Sequence, residues 1–309
     1  MKLFRQIKNF CFNPRIRHSY LSALGFYNRM SDEKYLKKTF ELNMGYPLNL
    51  DNPQTFNEKL QWLKLHDRKP IYTTMVDKYE AKKYVASIIG EQYIIPTLGV
   101  WDDPNEIDFD ALPEQFVLKC THNSGRGMYI CKQKSKLTPK DIKKIRKDLA
   151  KGLAEDFYLV NREWPYKNVK PRIIAEKFLI DSRLNELRDY KFFAFDGVAR
   201  ALYITTNREH DRRTDFYDMN FRHLEIRDDD LNAVVPPQKP ETFEEMRRIA
   251  EILSKDIPEL RVDFYEVNGK AYVGELTLYY SGGFVPFEPK EWDKKFGDWV
   301  KLPNGGGTC

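Results

Sequence analysis

Apolar residues recur at helical spacing over residues 21–70 and 72–89, and strand-like runs between turn signals take over from residue 93. Thr55-Phe-Asn-Glu58 is a capping-box pattern ahead of Leu60, Trp62, Leu63 and Leu65. One helix is expected over residues 72–89, with Val76, Tyr79, Val85, Ile88 and Ile89 as its apolar positions, Gly90 as its stop and Asp77-Lys78 inside it. Two further helices interrupt the strand region. Residues 137–153 have Thr138 as N-cap and Ile142, Ile145, Leu149 and Leu153 facing inward. The second opens at Thr242-Phe-Glu-Glu245, turns Phe243, Met246, Ile249, Ala250 and Leu253 inward, and stops before Pro258.

The strands carry the polar residues of interest. Phe116-Val117-Leu118 ends at Lys119, and a polar loop with Gly125 and Gly127 leads to a second strand from Met128. Glycines there let backbone N–H groups approach a phosphate, with Lys119 and Arg126 supplying charge, although the loop is neither a Walker loop nor a G-x-G-x-x-G fingerprint. Residues 172–180 form a strand containing Glu176-Lys177. Residues 189–195 pair through Asp196-Gly197 with residues 198–205, which places Asp189 and Lys191 on one face. The charged residues 208–241, with Pro236, Pro237 and Pro240, read as a surface excursion.

The stretch RVDFYEVNGKAYVGELT, residues 261–277, sets Arg261, Asp263 and Glu275 into apolar strands flanking Asn268-Gly269. Buried carboxylates are costly unless paired or bound to a cation, so two of them beside an Arg suit Mg²⁺ and phosphate. The alternative is a solvent-facing hairpin with alternating charges. A regular two-residue turn would set Asp263 opposite Gly274 and put Glu275 on the other face. A shared metal therefore requires a longer turn or a bulge, which pairs Asp263 with Glu275 and Arg261 with Thr277.

Composition narrows the classes. Net charge +5, 41% hydrophobic and 14% aromatic residues describe a folded chain that tolerates anionic partners without requiring them. No run of 18 apolar residues exists to span a bilayer. The basic, aromatic N-terminus MKLFRQIKNFCFNPRIRHSY reads as a packed segment, with a weak membrane-surface anchor as the alternative. Cys11, Cys120, Cys131 and Cys309 lack metal-site spacing, which points to a reduced, cytoplasmic protein without zinc. The lysine-rich outer face of residues 137–153 lacks the aromatic interleaving of single-stranded nucleic-acid binders and reads as solvated, so no nucleic acid is expected.

In order and spacing, FNEKLQWLKLHDR (56–68), VDKYEAKKYV (76–85), YIIPTLGVWD (93–102), FVLKCTHNSG (116–125) and GELT (274–277) resemble the TupA-like ATP-grasp proteins of surface polysaccharide and teichuronopeptide biosynthesis. The resemblance spans roughly residues 35–285. It implies an α+β ATP-grasp fold, two α+β subdomains clasping a nucleotide: a helical region over residues 1–70, the grasp over 71–285 with a lid at about 116–178, and a tail over 286–309.

It further implies ATP and Mg²⁺ as cofactors. Lys78 and Lys119 would contact the phosphates beneath a loop of His122, Asn123, Ser124, Gly125 and Gly127. Glu176, Lys177 and the backbone near Leu179 would meet adenine. Lys191 would approach the nucleotide, Arg261 would face the transferred phosphoryl group, and Asp263 and Glu275 would hold the metal, with Thr277 where many relatives carry Asn. The helical region replaces the usual preceding domain, so no substrate residues carry over. The function implied is carboxylate activation as an acylphosphate and amide formation on a small-molecule or glycan-precursor substrate, at the inner membrane face or in the cytoplasm. A kinase and a polysaccharide-biosynthesis transferase are the alternatives.

Overall fold

A computed structural model of the chain describes residues 12–184, 186–207 and 211–303; the expectations for residues 1–11 and for the NGGGTC end lie outside the described residues. Three helices come first, α1 (Pro14–Ala23), α2 (Asp32–Met44) and α3 (Phe56–His66). At α3 the Thr55 hydroxyl accepts from the Glu58 N–H and the Glu58 carboxylate accepts from the Thr55 N–H, so the capping box closes.

The single helix expected over residues 72–89 is instead two, α4 (Ile71–Val76) and α5 (Glu80–Ile89), broken at Asp77-Lys78. Asp77 is extended, and its carboxylate accepts the Tyr79 N–H at 2.9 Å. Lys78 donates its N–H to Thr121 O at 3.0 Å. The aspartate offers the backbone a partner outside the helix, which apolar spacing does not register.

The smaller sheet contains β1 (Thr97–Trp101), β2 (Phe116–Cys120) and β3 (Met128–Cys131). After α6 (Pro139–Leu153) and the short α7 (Tyr158–Asn161) comes β4 (Ile173–Lys177), and the antiparallel order is β1-β4-β2-β3. Phe116, Leu118, Ile173 and Ala175 pack under Ile145 and Leu149 of α6. Strand alternation turns Val117, Lys119, Ile174 and Glu176 to the opposite face.

The larger sheet is built from β5 (Asp189–Phe195), β6 (Val198–Thr206), β7 (Arg213–Asp218), β8 (His223–Leu224), β9 (Leu260–Val267) and β10 (Lys270–Thr277), ordered β10-β9-β5-β6-β7-β8. Helix α8 (Phe243–Leu253) covers one face with the five apolar residues expected of it, among Phe192 and Phe264. On the other face Phe193, Tyr203 and Phe216 meet Phe56 of α3, Tyr280, Phe287 and Phe296 of α9 (Glu291–Trp299). Asp293 of α9 accepts from the Asn57 N–H and side-chain amide at 3.0 and 2.9 Å, which fixes α9 on α3.

The expected surface excursion over 208–241 holds for most of residues 225–241, which are irregular and largely exposed, and is overturned for residues 213–224. There β7 is an internal strand with Thr214, Asp215, Phe216 and Tyr217 buried. Its charge is met internally: Asp215 lies 2.9 Å from His223 Nε2 and accepts the Ala233 N–H at 3.2 Å. Paired buried aspartates look like loop residues in a sequence.

Candidate active site

The 261–277 hairpin turns tightly yet pairs irregularly. Asn268 and Gly269 both have positive φ (50° and 75°), the signature of a two-residue turn, and Lys270 pairs with Val267. The register then shifts between Val273 and Glu275, so Gly274 is an extra residue in the ladder. A Cβ on Gly274 would lie 2.8 Å from the Tyr265 ring, so any other residue there must displace the ring or the bulge. Beyond the bulge Glu275 pairs with Asp263 and Thr277 with Arg261.

On the other side of β9, Lys191 of β5 pairs with Asp263, so Lys191, Asp263 and Glu275 form one row across three strands. Arg261 holds the Asp263 carboxylate through two bonds, Nε at 2.6 Å and Nη2 at 2.8 Å, and Nη2 also donates to Thr277 Oγ1 at 2.9 Å. Lys191 Nζ donates to Asp263 and lies 3.7 Å from Asp189. Burial alone would raise the Asp263 carboxyl, but Arg261 and Lys191 outweigh it and hold it below the usual range. Glu275 is likewise lowered against burial, chiefly by Lys78, whose ammonium lies 3.5 Å away.

Further charges lie on and beside the small sheet. Lys78, at the break between α4 and α5, donates to the Asn123 carbonyl while reaching Glu275, so it joins the loop to the large sheet. Lys119 Nζ lies 2.6 Å from Glu176 Oε2, and Lys82 Nζ lies 2.7 Å from Oε1. His122 and Asn123 are buried against Glu155 and Gly152, through His122 Nε2 to Glu155 O at 3.1 Å and Asn123 Nδ2 to Gly152 O at 3.2 Å. Ser124 and Gly125 are exposed, and Gly127 is half-buried. Lys177 is exposed with its N–H bonded to Pro96 O, and Leu179 is buried just past the strand end. The structure thus joins Lys78 and the 122–123 loop to the Lys191–Asp263–Glu275 row, places Lys119 and Glu176 together with Lys82 on the small sheet, and turns Lys177 to the opposite face of β4 from Glu176.

A family model for TupA-like ATP-grasp proteins matches residues 58–301. The chain belongs to this family. It is an ATP-grasp enzyme with the two-sheet α+β architecture that the resemblance implied. The fold is similar to a D-alanine–D-alanine ligase from Helicobacter pylori (11% identity, 80% of this chain on 69% of that one, TM-score 0.43). D-cycloserine synthetase DcsG gives 16% identity over 74% of this chain and 70% of that one, TM-score 0.42. The ATP-grasp ligase PsnB complexed with minimal precursor, Mg and ADP gives 14% identity over 72% and 58%, TM-score 0.39. No curated protein sequence matches the chain.

The ATP-grasp chemistry calls for a divalent cation, and the donors present fit one. Asp263, Glu275 and the Thr277 hydroxyl are hard oxygens on one sheet face. Among the described residues no third acidic or histidine side chain completes a cluster of three with these carboxylates. Their charge is balanced by Arg261, Lys191 and Lys78, so a cation entering here shares them with basic side chains.

Several site residues escaped sequence reasoning. Lys82 lies one helical turn after Lys78, and that spacing was the available signal. Tyr280 follows the hairpin: its hydroxyl donates to Asp228, and its ring centre lies 5.8 Å from the Arg261 guanidinium. Burial raises the Asp228 carboxyl. Asp228 belongs to the Asp228-Asp229-Asp230 stretch, and only the fold shows that it reaches this centre. Lys64 of α3 is wholly buried, donating to Gln61 Oε1, Asn161 O and Gly282 O at 3.0, 3.0 and 2.6 Å. It ties the helical region to residues 279–283, which contain four positive-φ positions, Tyr279, Ser281, Gly282 and Gly283.

Proposed function

We propose that the protein is an ATP- and Mg²⁺-dependent ligase that activates a carboxylate and joins it to an amine on a precursor of surface polysaccharide. The observation that carries this reading is the row Lys191–Asp263–Glu275, with Arg261 and Thr277 beside it and Lys78 reaching Glu275 from the α4–α5 break. Lys78 and Lys119 hold the phosphates under the 121–127 loop. Adenine lies against Glu176, Lys177 and the backbone at Leu179. Asp263, Glu275 and Thr277 hold the metal, which supplies charge neutralisation on the phosphate oxygens. Lys191 and Arg261 neutralise charge as it develops on the transferred phosphoryl group, so no protein nucleophile is needed.

In the first step a substrate carboxylate oxygen attacks the γ-phosphorus, the bond to the β-phosphate oxygen breaks, and ADP leaves. In the second an amine attacks the acyl carbon, the carbon–oxygen bond to phosphate breaks, and the ammonium proton passes to a base. Asp228, aligned by Tyr280 beside Arg261, is the carboxylate available for that proton.

Turnover of ATP against a panel of amino acids and uronic acids, with amine acceptors, tests the reading. Amide together with free phosphate supports a ligase. A phosphorylated substrate without amide assigns a kinase, and no nucleotide turnover with any pair removes both.

A further inference from the structure

The loop between β2 and β3 is seated at both ends on the C-terminal end of helix α6. At its entry His122 Nε2 donates to the Glu155 carbonyl at 3.1 Å. Asn123 Nδ2 donates to Gly152 O at 3.2 Å and to Glu155 Oε2 at 3.1 Å. Both of those oxygens only accept, so the NH₂ end of the amide must face them, and its two donors are both taken. At the exit a Cβ on Gly127 would lie 3.0 Å from the Gly152 Cα, and one on Gly152 would lie 2.8 Å from the Gly127 Cα, so the two backbones pack directly. The tip between them, Ser124 to Arg126, is exposed.

Glu155 is out of place by helix rules alone. Helix α6 ends at Leu153 with Ala154 as its C-cap, so Glu155 follows the negative end of the dipole, where a cation is favoured and an anion is not. Its two carboxylate oxygens are instead divided between loop residues. Oε2 holds Asn123, and Oε1 lies 3.4 Å from the Arg126 guanidinium. The Arg126 side chain is 64% exposed, so that contact is screened and weak. Asn123 is 2% exposed, and its charge-assisted bond to Glu155 is the stronger of the two.

The contacts continue beyond Asn123. Its carbonyl accepts the Lys78 ammonium, and that ammonium lies 3.5 Å from Glu275. Glu155, Asn123, Lys78 and Glu275 thus form one line of polar contacts from the end of α6 to the carboxylate row of the large sheet.

We propose that Glu155 is a positioning residue for the nucleotide phosphates. By fixing the Asn123 side chain it fixes the Asn123 carbonyl, and that carbonyl sets where the Lys78 ammonium stands. The inference rests on the reading of Lys78 as a phosphate contact and adds a residue that acts through Asn123 and Lys78. Reach matters more than charge at position 155. A glutamine keeps an acceptor oxygen at the same distance, whereas an aspartate keeps the charge and falls one methylene short.

The test is calorimetric titration of the full chain with a non-hydrolysable ATP analogue, adenylyl imidodiphosphate, in the presence of Mg²⁺. Glu155→Ala and Glu155→Asp should each weaken binding by about tenfold, and Glu155→Gln should restore most of the wild-type affinity. The opposite order, with aspartate near wild type and glutamine as weak as alanine, would overturn the proposal. A double-mutant cycle reads the connection itself: in a Lys78→Met background Glu155→Ala should have no further effect, because the group it positions is gone. Glu155→Asp replaces the alanine variant in that cycle if the latter does not fold. Additive losses would overturn the proposal. Unchanged affinity in Lys78→Met removes Lys78 from the phosphates and this inference with it, whereas a loss there and none in Glu155→Ala overturns the role of Glu155 alone. Deuterium exchange over residues 121–127, measured without nucleotide, reads the hold on the loop separately. It should be faster in the alanine and aspartate variants than in wild type or Glu155→Gln, and wild-type exchange in all of them would show that Glu155 does not hold the loop.

Discussion

Asp263 and Glu275 stand opposite each other because Gly274 is inserted between two registers of the same hairpin. The turn at Asn268-Gly269 is the tight form that its residues favour, and taken alone it would send Glu275 to the far face. The bulge breaks the ladder's local regularity where the chemistry requires two carboxylates on one side.

Gly274→Ala tests that relationship. Its Cβ would approach the Tyr265 ring to 2.8 Å, so the ring or the bulge must move. A stability loss of about 1–3 kcal/mol is expected, as for overpacking elsewhere. ATP turnover should fall by more than that loss explains, because Glu275 leaves its partner. Thermal unfolding and kcat/KM measured together decide it: full turnover in a folded variant would show that the pairing is dispensable.

Cation binding should depend on nucleotide. Asp263 is held by Arg261 and Lys191, and Glu275 faces Lys78, so free Mg²⁺ meets carboxylates that are already neutralised. Calorimetric titration with MgCl₂ alone should show weak binding or none, and a non-hydrolysable ATP analogue should tighten it by about tenfold or more through its own phosphate oxygens. Equal affinity with and without the analogue would contradict this.

Lys119→Ala should weaken ATP binding by about 1.5–3 kcal/mol, the range for a hydrogen bond to a charged group. The structure adds a structural consequence. Glu176 is buried and shared by Lys119 and Lys82, so removing either lysine leaves a partly uncompensated carboxylate. Glu176 at the adenine edge would accept the base's N–H and face guanine's carbonyl oxygen, so ATP should be preferred over GTP. Glu176→Gln separates the two effects by narrowing that preference while the fold remains. Unchanged nucleotide preference in that variant would remove Glu176 from the adenine edge.

Much of this arrangement was legible in the chain, for identifiable reasons. Capping residues and apolar spacing marked α3, α6 and α8, and period-two alternation placed Asp189 and Lys191 together. The bulge was derivable because one cation shared by Asp263 and Glu275 needs both carboxylates on one face, and a regular two-residue turn would separate them. Three features were not legible. The break at Asp77 depends on a side chain replacing helical bonds, and β7 hides its strand behind a buried Asp215 that pairs within the fold. The Asp228–Tyr280–Arg261 connection joins three segments far apart in sequence, which no local pattern reports.

That connection predicts a residue for the acceptor side. Asp228→Asn should lower kcat with little change in the ATP KM, and Tyr280→Phe should have a smaller effect of the same kind, since it only orients Asp228. If Asp228 takes the proton of the incoming amine, the acidic limb of the wild-type pH–rate profile should disappear in Asp228→Asn. An unaltered profile would leave Asp228 a structural role.

Glu259 predicts how stability should depend on pH. It opens the stretch before β9, is 2% exposed, and accepts the Tyr279 N–H at 3.1 Å, while its other oxygen has no partner. Burial raises its carboxyl from 4.5 to about 8, against the Tyr279 bond and the nearby Arg261. A raised carboxyl keeps its proton in the folded chain after the unfolded chain has lost its own, so the fold binds more protons between those values. Stability should therefore fall as pH rises from about 4.5 to about 8 and level off above, by a few kcal/mol at most. In Glu259→Gln the side-chain carbonyl still accepts from Tyr279, nothing ionises, and the unpaired amide costs about 1–3 kcal/mol at every pH. The variant should be less stable than wild type near pH 5, and the gap should close or reverse by pH 9. Urea unfolding at several pH values measures both curves, and parallel curves would show that Glu259 is ionised in the fold at neutral pH.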